Sequence, residues 1–274
     1  MLLSSVILVL QETLEAAFLI GVLTALGHLQ HRPARWLLVG IGAGLIFASV
    51  YAQNIQLVSE WFDYVGQELV NAGLQIMIAL LLTLYLWRAL DGSPAGEGVS
   101  GPSGARHGWL ISTAAALTVL LAITREGSEV LIYLWGVIHQ SDSYQAVLIG
   151  SSIGFGIGLS MGCLLFYALV SLPFPWAMRL AIILLALFTG NMLAQAVLLL
   201  IQADWIPSTQ PLWDSSGWLP EHALMGRLLY ALVGYEATPS AWEVAAYLVG
   251  FTGIMCVAWR RRASLRPTLI HVAN

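Results

Sequence analysis

Four glutamates stand inside stretches otherwise too apolar to hold a charge. Glu12 and Glu15 lie within the run 2–26, and Glu126 and Glu129 within the run 109–138. A carboxylate at membrane depth costs at least ~2.5–3.5 kcal/mol on insertion scales. On an α-helix, residues three apart share a face, so each pair offers two carboxylates to one neighbouring surface. Facing each other across a helix interface, the pairs would form an oxygen-rich cage for a hard cation. Four carboxylates cannot all stay ionised and unpaired in a low dielectric, so some must be protonated or bound to a cation. Binding a cation there is thereby coupled to proton release. Arg125 directly precedes the second pair and offsets part of its charge when the cage is empty. Gln11 precedes the first pair and can hydrogen-bond a carboxylate without adding charge. The plainer alternative is polar glue between helices. Two matched pairs argue instead for a metal or proton pathway.

The elements that must position these groups are membrane helices. Hydrophobic residues make up 58% of the 274 and charged residues 9%, with a mean hydropathy of +0.80. Globular chains carry roughly 25% charged residues. Windows of about 20 apolar residues mark seven spans, at 2–27, 36–58, 69–90, 109–138, 144–170, 177–202 and 240–261. The expected fold is all-α, a polytopic membrane protein forming one integral domain over 1–274. The stretch 91–107 is rich in Gly, Ser and Pro and reads as a flexible linker. The long connection 203–239 carries Trp205, Trp213 and Trp218, residues suited to a membrane–water interface. The N-terminal run has no basic region ahead of it and reads as a retained first helix.

An internal repeat is visible, about 1–90 and about 109–202, with the span 240–261 added outside it. The first and fourth spans carry the Glu pairs. The second and fifth carry the small-residue runs Gly40, Gly42, Gly44 and Gly150, Gly154, Gly156, Gly158. Three spans separate the copies, so they run in opposite senses, and inverted repeats of this kind hold substrate near the bilayer midplane. Arg placement sets orientation. Arg32, Arg35, Arg88, Arg106, Arg179, Arg260, Arg261, Arg262 and Arg266 fall on one side and Arg227 on the other. The positive-inside rule then puts the C-terminus in the cytoplasm and the N-terminus outside. Glu60, Asp63, Glu68, Asp142, Asp204, Asp214, Glu221 and Glu236 form an acidic outer rim that could concentrate cations, or ordinary solvated loops.

Other candidates are weaker. A net charge of −4 argues against nucleic-acid binding. Cys163 and Cys256 both lie within apolar helices, which argues against a disulfide framework or a zinc site. His28, His31, His107, His139, His222 and His271 sit at helix ends or in loops, a poor arrangement for haem ligation. Glu68 opens the third span, either as an outer ligand or as a charge at a helix N-terminus. Asn191 and Gln195, four apart on the sixth span, could line a pathway or hydrogen-bond a neighbouring helix. No catalytic constellation stands out, so the chain is read as a transporter rather than an enzyme.

The segment Arg125-Glu126-Gly127-Ser128-Glu129 resembles the Arg-Glu-x-x-Glu signature of the oxidase-dependent iron permeases of fungi and bacteria. Glu12-Thr13-Leu14-Glu15 is similar to that family's first motif. Trp213-Asp214-Ser215-Ser216, Gly234-Tyr235 and Pro239-Ser240 resemble its ending. The resemblance implies a bacterial inner-membrane permease importing Fe(III) or Fe(II), with Glu12, Glu15, Glu126 and Glu129 as metal ligands and Arg125, Gln11 and Glu68 as accessory groups. It implies no cofactor beyond the transported iron ion. The implied partners are membrane lipid and a periplasmic or extracellular ferroxidase or iron donor. Gln11 departs from the family, which commonly has Arg there. An importer of another divalent metal such as Pb or Mn, and a non-conducting subunit that docks a redox partner, are the alternative readings.

Overall fold

The computed structural model describes residues 2–32, 34–90, 102–140, 144–220 and 223–270, with backbone alone at 102–107, 138–140, 224 and 261–270. The helices are α1 (Leu2–Leu29), α2 (Arg35–Gln53), α3 (Ile55–Ser59), α4 (Gly66–Ala89), α5 (Pro102–Gln140), α6 (Tyr144–Ser171), α7 (Phe174–Gln202), α8 (Leu224–Val233) and α9 (Ala241–Ile270). Seven of them are long and apolar enough to cross a membrane. At 1.5 Å per residue α1 is about 42 Å long, more than a ~30 Å hydrocarbon core needs, and its Glu pair falls near the middle.

Three local features differ from the sequence reading. The second span stops at Gln53, because Asn54 turns back on the helix end and donates from Nδ2 to Val50 O at 2.7 Å. α5 starts at Pro102, inside the stretch expected to be a linker; the rest of that stretch, 91–101, lies outside the described residues. α8 forms within 203–239, which the sequence reads as a connection. Asp142, Glu221, His222 and His271 lie outside the described residues, as do the side chains of Arg106, His107, His139, Arg261, Arg262 and Arg266.

Helix pairing follows the small residues. α1 packs along α6 and α2 along α5, while α4 lies against α7 and α5, and α9 against α7. A Cβ built on Gly154 would stand 2.4 Å from Val6 O, and one on Gly40 would stand 2.8 Å from Ala116 O. Lipid tails are as apolar as Leu, so close van der Waals contact rather than water exclusion favours these pairs. Gly42 and Gly156 have open space around them and take no part. The contact stripes are therefore the i, i+4 series Gly40, Gly44 and Gly150, Gly154, Gly158, Gly162. The buried apolar cluster gathers Phe18, Leu19 and Val22 of α1, Ile78 and Leu82 of α4, and Leu185 and Phe188 of α7.

Two junctions hold the segment around α8 to the bundle. Ser240 caps α9: its Oγ accepts from Glu243 N, while Glu243 returns a carboxylate oxygen to Ser240 N at 2.6 Å. This reciprocal pair satisfies two N–H groups a helix start otherwise leaves bare. Gly234 ends α8 in the left-handed region at φ 70°, and a Cβ there would meet Asn191 Oδ1 at 2.8 Å. Between these points Leu212 N donates to Pro239 O and Ser215 N to Ala237 O, both at 2.9 Å.

Candidate functional site

Packing of α5 against both α1 and α4 brings the two Glu pairs together. Glu15 and Glu126 are 1% and 4% exposed, Arg125 7% and Glu12 9%. Glu129 is the open member, with its side chain 31% exposed. Arg125 sits among them. Its Nη1 donates to Glu15 Oε2 at 3.1 Å and to Glu126 Oε1 at 2.5 Å, and its Nε lies 3.7 Å from Glu129 Oε1. Glu12 and Glu126 line a common cavity. Carboxylates from α1 and α5 thus converge on one guanidinium. A buried pair of this kind is stable only when its remaining polar atoms find partners.

Amides from α4 and α7 supply those partners. Arg125 Nη2 donates to Gln195 Oε1 at 2.9 Å, and Gln75 Nε2 donates to the same oxygen at 2.8 Å. Gln195 Nε2 donates to Asn191 Oδ1 at 3.1 Å, and Asn191 Nδ2 to Tyr230 O at 3.3 Å. On the other side Asn71 Nδ2 reaches Glu129 Oε1 at 3.4 Å, and Tyr51 OH donates to Asn71 Oδ1 at 3.3 Å. A hydrogen-bonded chain therefore runs from α8 to the carboxylates. Burial, then the charge of Glu15, raises the Tyr230 phenol above its ordinary value.

Among the described residues, no group of three or more His, Cys, Asp or Glu side chains is arranged to hold a metal ion. Arg125 contacts three of the four carboxylates instead. Two acceptors in the cluster are left unused, Glu126 Oε2 and Gln75 Oε1, both buried.

Two cavities meet at Glu12. One, of about 400 Å³, is lined by Glu12, Gln67, Glu68, Asn71, Glu129 and Tyr133 among others. The second, of about 610 Å³, has mainly apolar walls from α1, α2, α5 and α6, with Glu12 and Glu126 among its lining residues. Charged and amide groups make the first suited to a hydrated cation. Glu12 and Glu126 are the acidic side chains in the second.

Of the residues picked from sequence, Glu12, Glu15, Glu126, Glu129 and Arg125 come together. Glu68 joins them through the polar cavity. Gln11 is half-buried and lines neither cavity. His28 packs edge-on against Phe166, with ring centroids 6.1 Å apart, away from the cluster. Asn71 and Gln75 escaped the sequence reading, although they repeat on α4 the spacing of Asn191 and Gln195 on α7.

Comparison with known proteins points one way. The sequence profile described as the Iron permease FTR1 family matches residues 2–261. The ferrous iron permease EfeU of Escherichia coli O6:H1 is 23% identical over 262 residues, covering 89% of this chain and 90% of that protein. The ferrous iron permease EfeU of Shigella sonnei matches with the same identity and coverage. That of Shigella flexneri is 26% identical over 147 residues, 53% of this chain and 60% of the relative. No solved structure matches the chain.

Proposed function

This chain belongs to the Iron permease FTR1 family, and on that premise we propose that it imports iron across the inner (plasma) membrane through the carboxylates of Glu12, Glu15, Glu126 and Glu129. The observation that carries this reading is their convergence, from α1 and α5, at the end of a polar cavity inside a bundle with seven candidate spans. Carboxylate and amide oxygens suit a hard cation. The relatives are described as ferrous iron permeases, which favours Fe(II) as the ion carried here.

Glu68, Glu12 and Glu129 line one polar cavity, which offers an arriving cation an acidic path. Arg125 holds the carboxylates together while no iron is present. Iron arriving as a dication must compete with this guanidinium or bind beside it. The inverted repeat gains support from the swapped partners: first span on fifth, second on fourth. In this orientation the N-terminus is outside and the C-terminus cytoplasmic, and a periplasmic iron donor would meet the loop that carries α8.

Proton exchange at the carboxylates is the proposed coupling, since a bound cation displaces protons. The experiment is radioactive iron uptake into proteoliposomes, with Fe(II) held reduced and Fe(III) chelated in parallel, and with Mn(II) and Pb(II) as competitors. Saturable Fe(II) uptake that tightens as outside pH rises is expected. Uptake no better than in protein-free liposomes would sink the proposal, and a flat pH profile would remove the proton coupling.

A further inference from the structure

The apolar cavity runs from Glu12 and Glu126 along the bundle, between helices that leave a gap. On α1 its wall is the i, i+4 row Glu12, Ala16, Ile20 and Thr24. Leu37, Ile41 and Leu45 of α2 form one side, and Phe155, Leu159 and Phe166 of α6 the other. α1 packs along α6 and α2 along α5, but α2 and α6 do not pack along each other. The cavity is therefore a groove open between these two helices. Leu45, Phe155, Leu159 and Tyr167, which line it, are exposed. In a bundle with seven candidate spans such faces meet lipid, so the groove is continuous with the lipid-facing surface.

Length and charge select the occupant. From Glu12 to Thr24 the row rises about 18 Å at 1.5 Å per residue, a good match to the ~15 Å of one leaflet in a ~30 Å hydrocarbon core. The next position in the row is His28, exposed, with its ring against Phe166 of the groove wall at 6.1 Å between centroids. Arg35, also exposed, opens α2 two residues before Leu37. An imidazole and a guanidinium at the mouth complement a lipid phosphate, as the apolar walls complement its chain. Water finds little to hold it along these walls, because an ordered water needs about two to four polar partners.

We propose that the groove between α2 and α6 holds one acyl chain of an anionic phospholipid, with the phosphate at His28 and Arg35 and the chain end against Glu12 and Glu126. In the orientation proposed above this lipid belongs to the cytoplasmic leaflet. Its chain walls the carboxylates off from the bilayer and leaves them the polar cavity as their route to water and ions. The choice of leaflet rests on the permease reading; the lipid site itself does not depend on which ion is carried.

Native mass spectrometry of the purified full chain, released from micelles holding equal phosphatidylglycerol and phosphatidylcholine, counts the lipid that stays bound. The parent chain should retain one phosphatidylglycerol. Ile20→Trp fills the groove and should lower the retained fraction about tenfold, as the chain loses its contacts there. Ile46→Trp, on the exposed face of α2 outside the groove, should leave it unchanged. Arg35→Ala should keep a lipid but lower the preference for phosphatidylglycerol about fivefold. Should Ile20→Trp fail to fold, Leu159→Trp decides, since that side chain is half exposed at the groove. Parental retention in the groove-filling variants, or equal retention of the two lipids by the parent, would overturn the proposal. A lipid-free dimer that the same substitutions dissociate would give the groove to a second copy and overturn it too. Retention is read without iron, so its loss leaves the permease reading standing. Absence of iron uptake by the parent chain would sink that reading and leave the lipid site intact.

Discussion

Gln195 on α7 accepts a hydrogen bond from Arg125 Nη2 at 2.9 Å, so the guanidinium among the glutamates is anchored from outside the two helices that carry them. The same Arg125 bonds Glu15 on α1 and Glu126 on its own helix. Three elements are thereby tied at one planar group, a task suited to the fixed fork of arginine.

Removing that group should expose its worth. Arg125→Leu leaves buried carboxylates without compensation, a loss on the order of 3–5 kcal/mol. Unfolding temperature in detergent should drop, and saturating Mn(II) should recover part of it by supplying positive charge. Arg125→Lys keeps the charge but not the fork, so it should fold and transport poorly. An unchanged unfolding temperature in Arg125→Leu would show that the carboxylates are already neutral.

Helix pairing can be tested away from the site. At Gly154 the nearest atom to an added Cβ is Val6 O at 2.4 Å, whereas Gly156 has open space. Gly154→Ile should therefore force α1 and α6 apart and cost about 1–3 kcal/mol or more. Gly156→Ala should change stability by less than about 0.5 kcal/mol. Similar unfolding temperatures for the two variants would contradict the packing described.

Much of this arrangement was legible in the residues. The seven spans and the Glu pairs follow from hydropathy and from the cost of carboxylates in lipid. The glycine runs were visible, but which glycines touch a neighbour depends on helix rotation, and Gly42 and Gly156 turn outward. α8 was hidden because ten residues are too few for a hydropathy window, and its end depends on Gly234 meeting Asn191. The network around Asn71 and Gln75 was missed for a different reason. Amides in spans are common enough to pass unnoticed singly, yet aligning the third span with the sixth pairs Asn71 with Asn191 and Gln75 with Gln195. That alignment was available from sequence.

The exposed acidic residues offer a kinetic test of the proposed orientation. Glu60, Asp63, Asp204 and Asp214 are exposed. Hydrogen bonds from the Ser216 side chain and backbone hold the Asp214 carboxyl below its ordinary value, so it stays ionised at neutral pH. Neutralising all four as amides should slow initial uptake at ~0.01 M salt, where the screening length is ~30 Å, and far less at ~1 M, where it is ~3 Å. Equal slowing at both salts would argue against steering.

The proposed path of the ion runs through the glutamates. The most direct measurement is radioactive Fe(II) uptake into proteoliposomes by the parent chain and by Glu12→Gln/Glu126→Gln, with equal insertion verified for both. Both side chains are buried at the cluster, and both line the apolar cavity as well. Uptake by the double variant should fall to the level of protein-free liposomes. Uptake at the parental rate would assign the carboxylates to holding helices together and leave the ion another route.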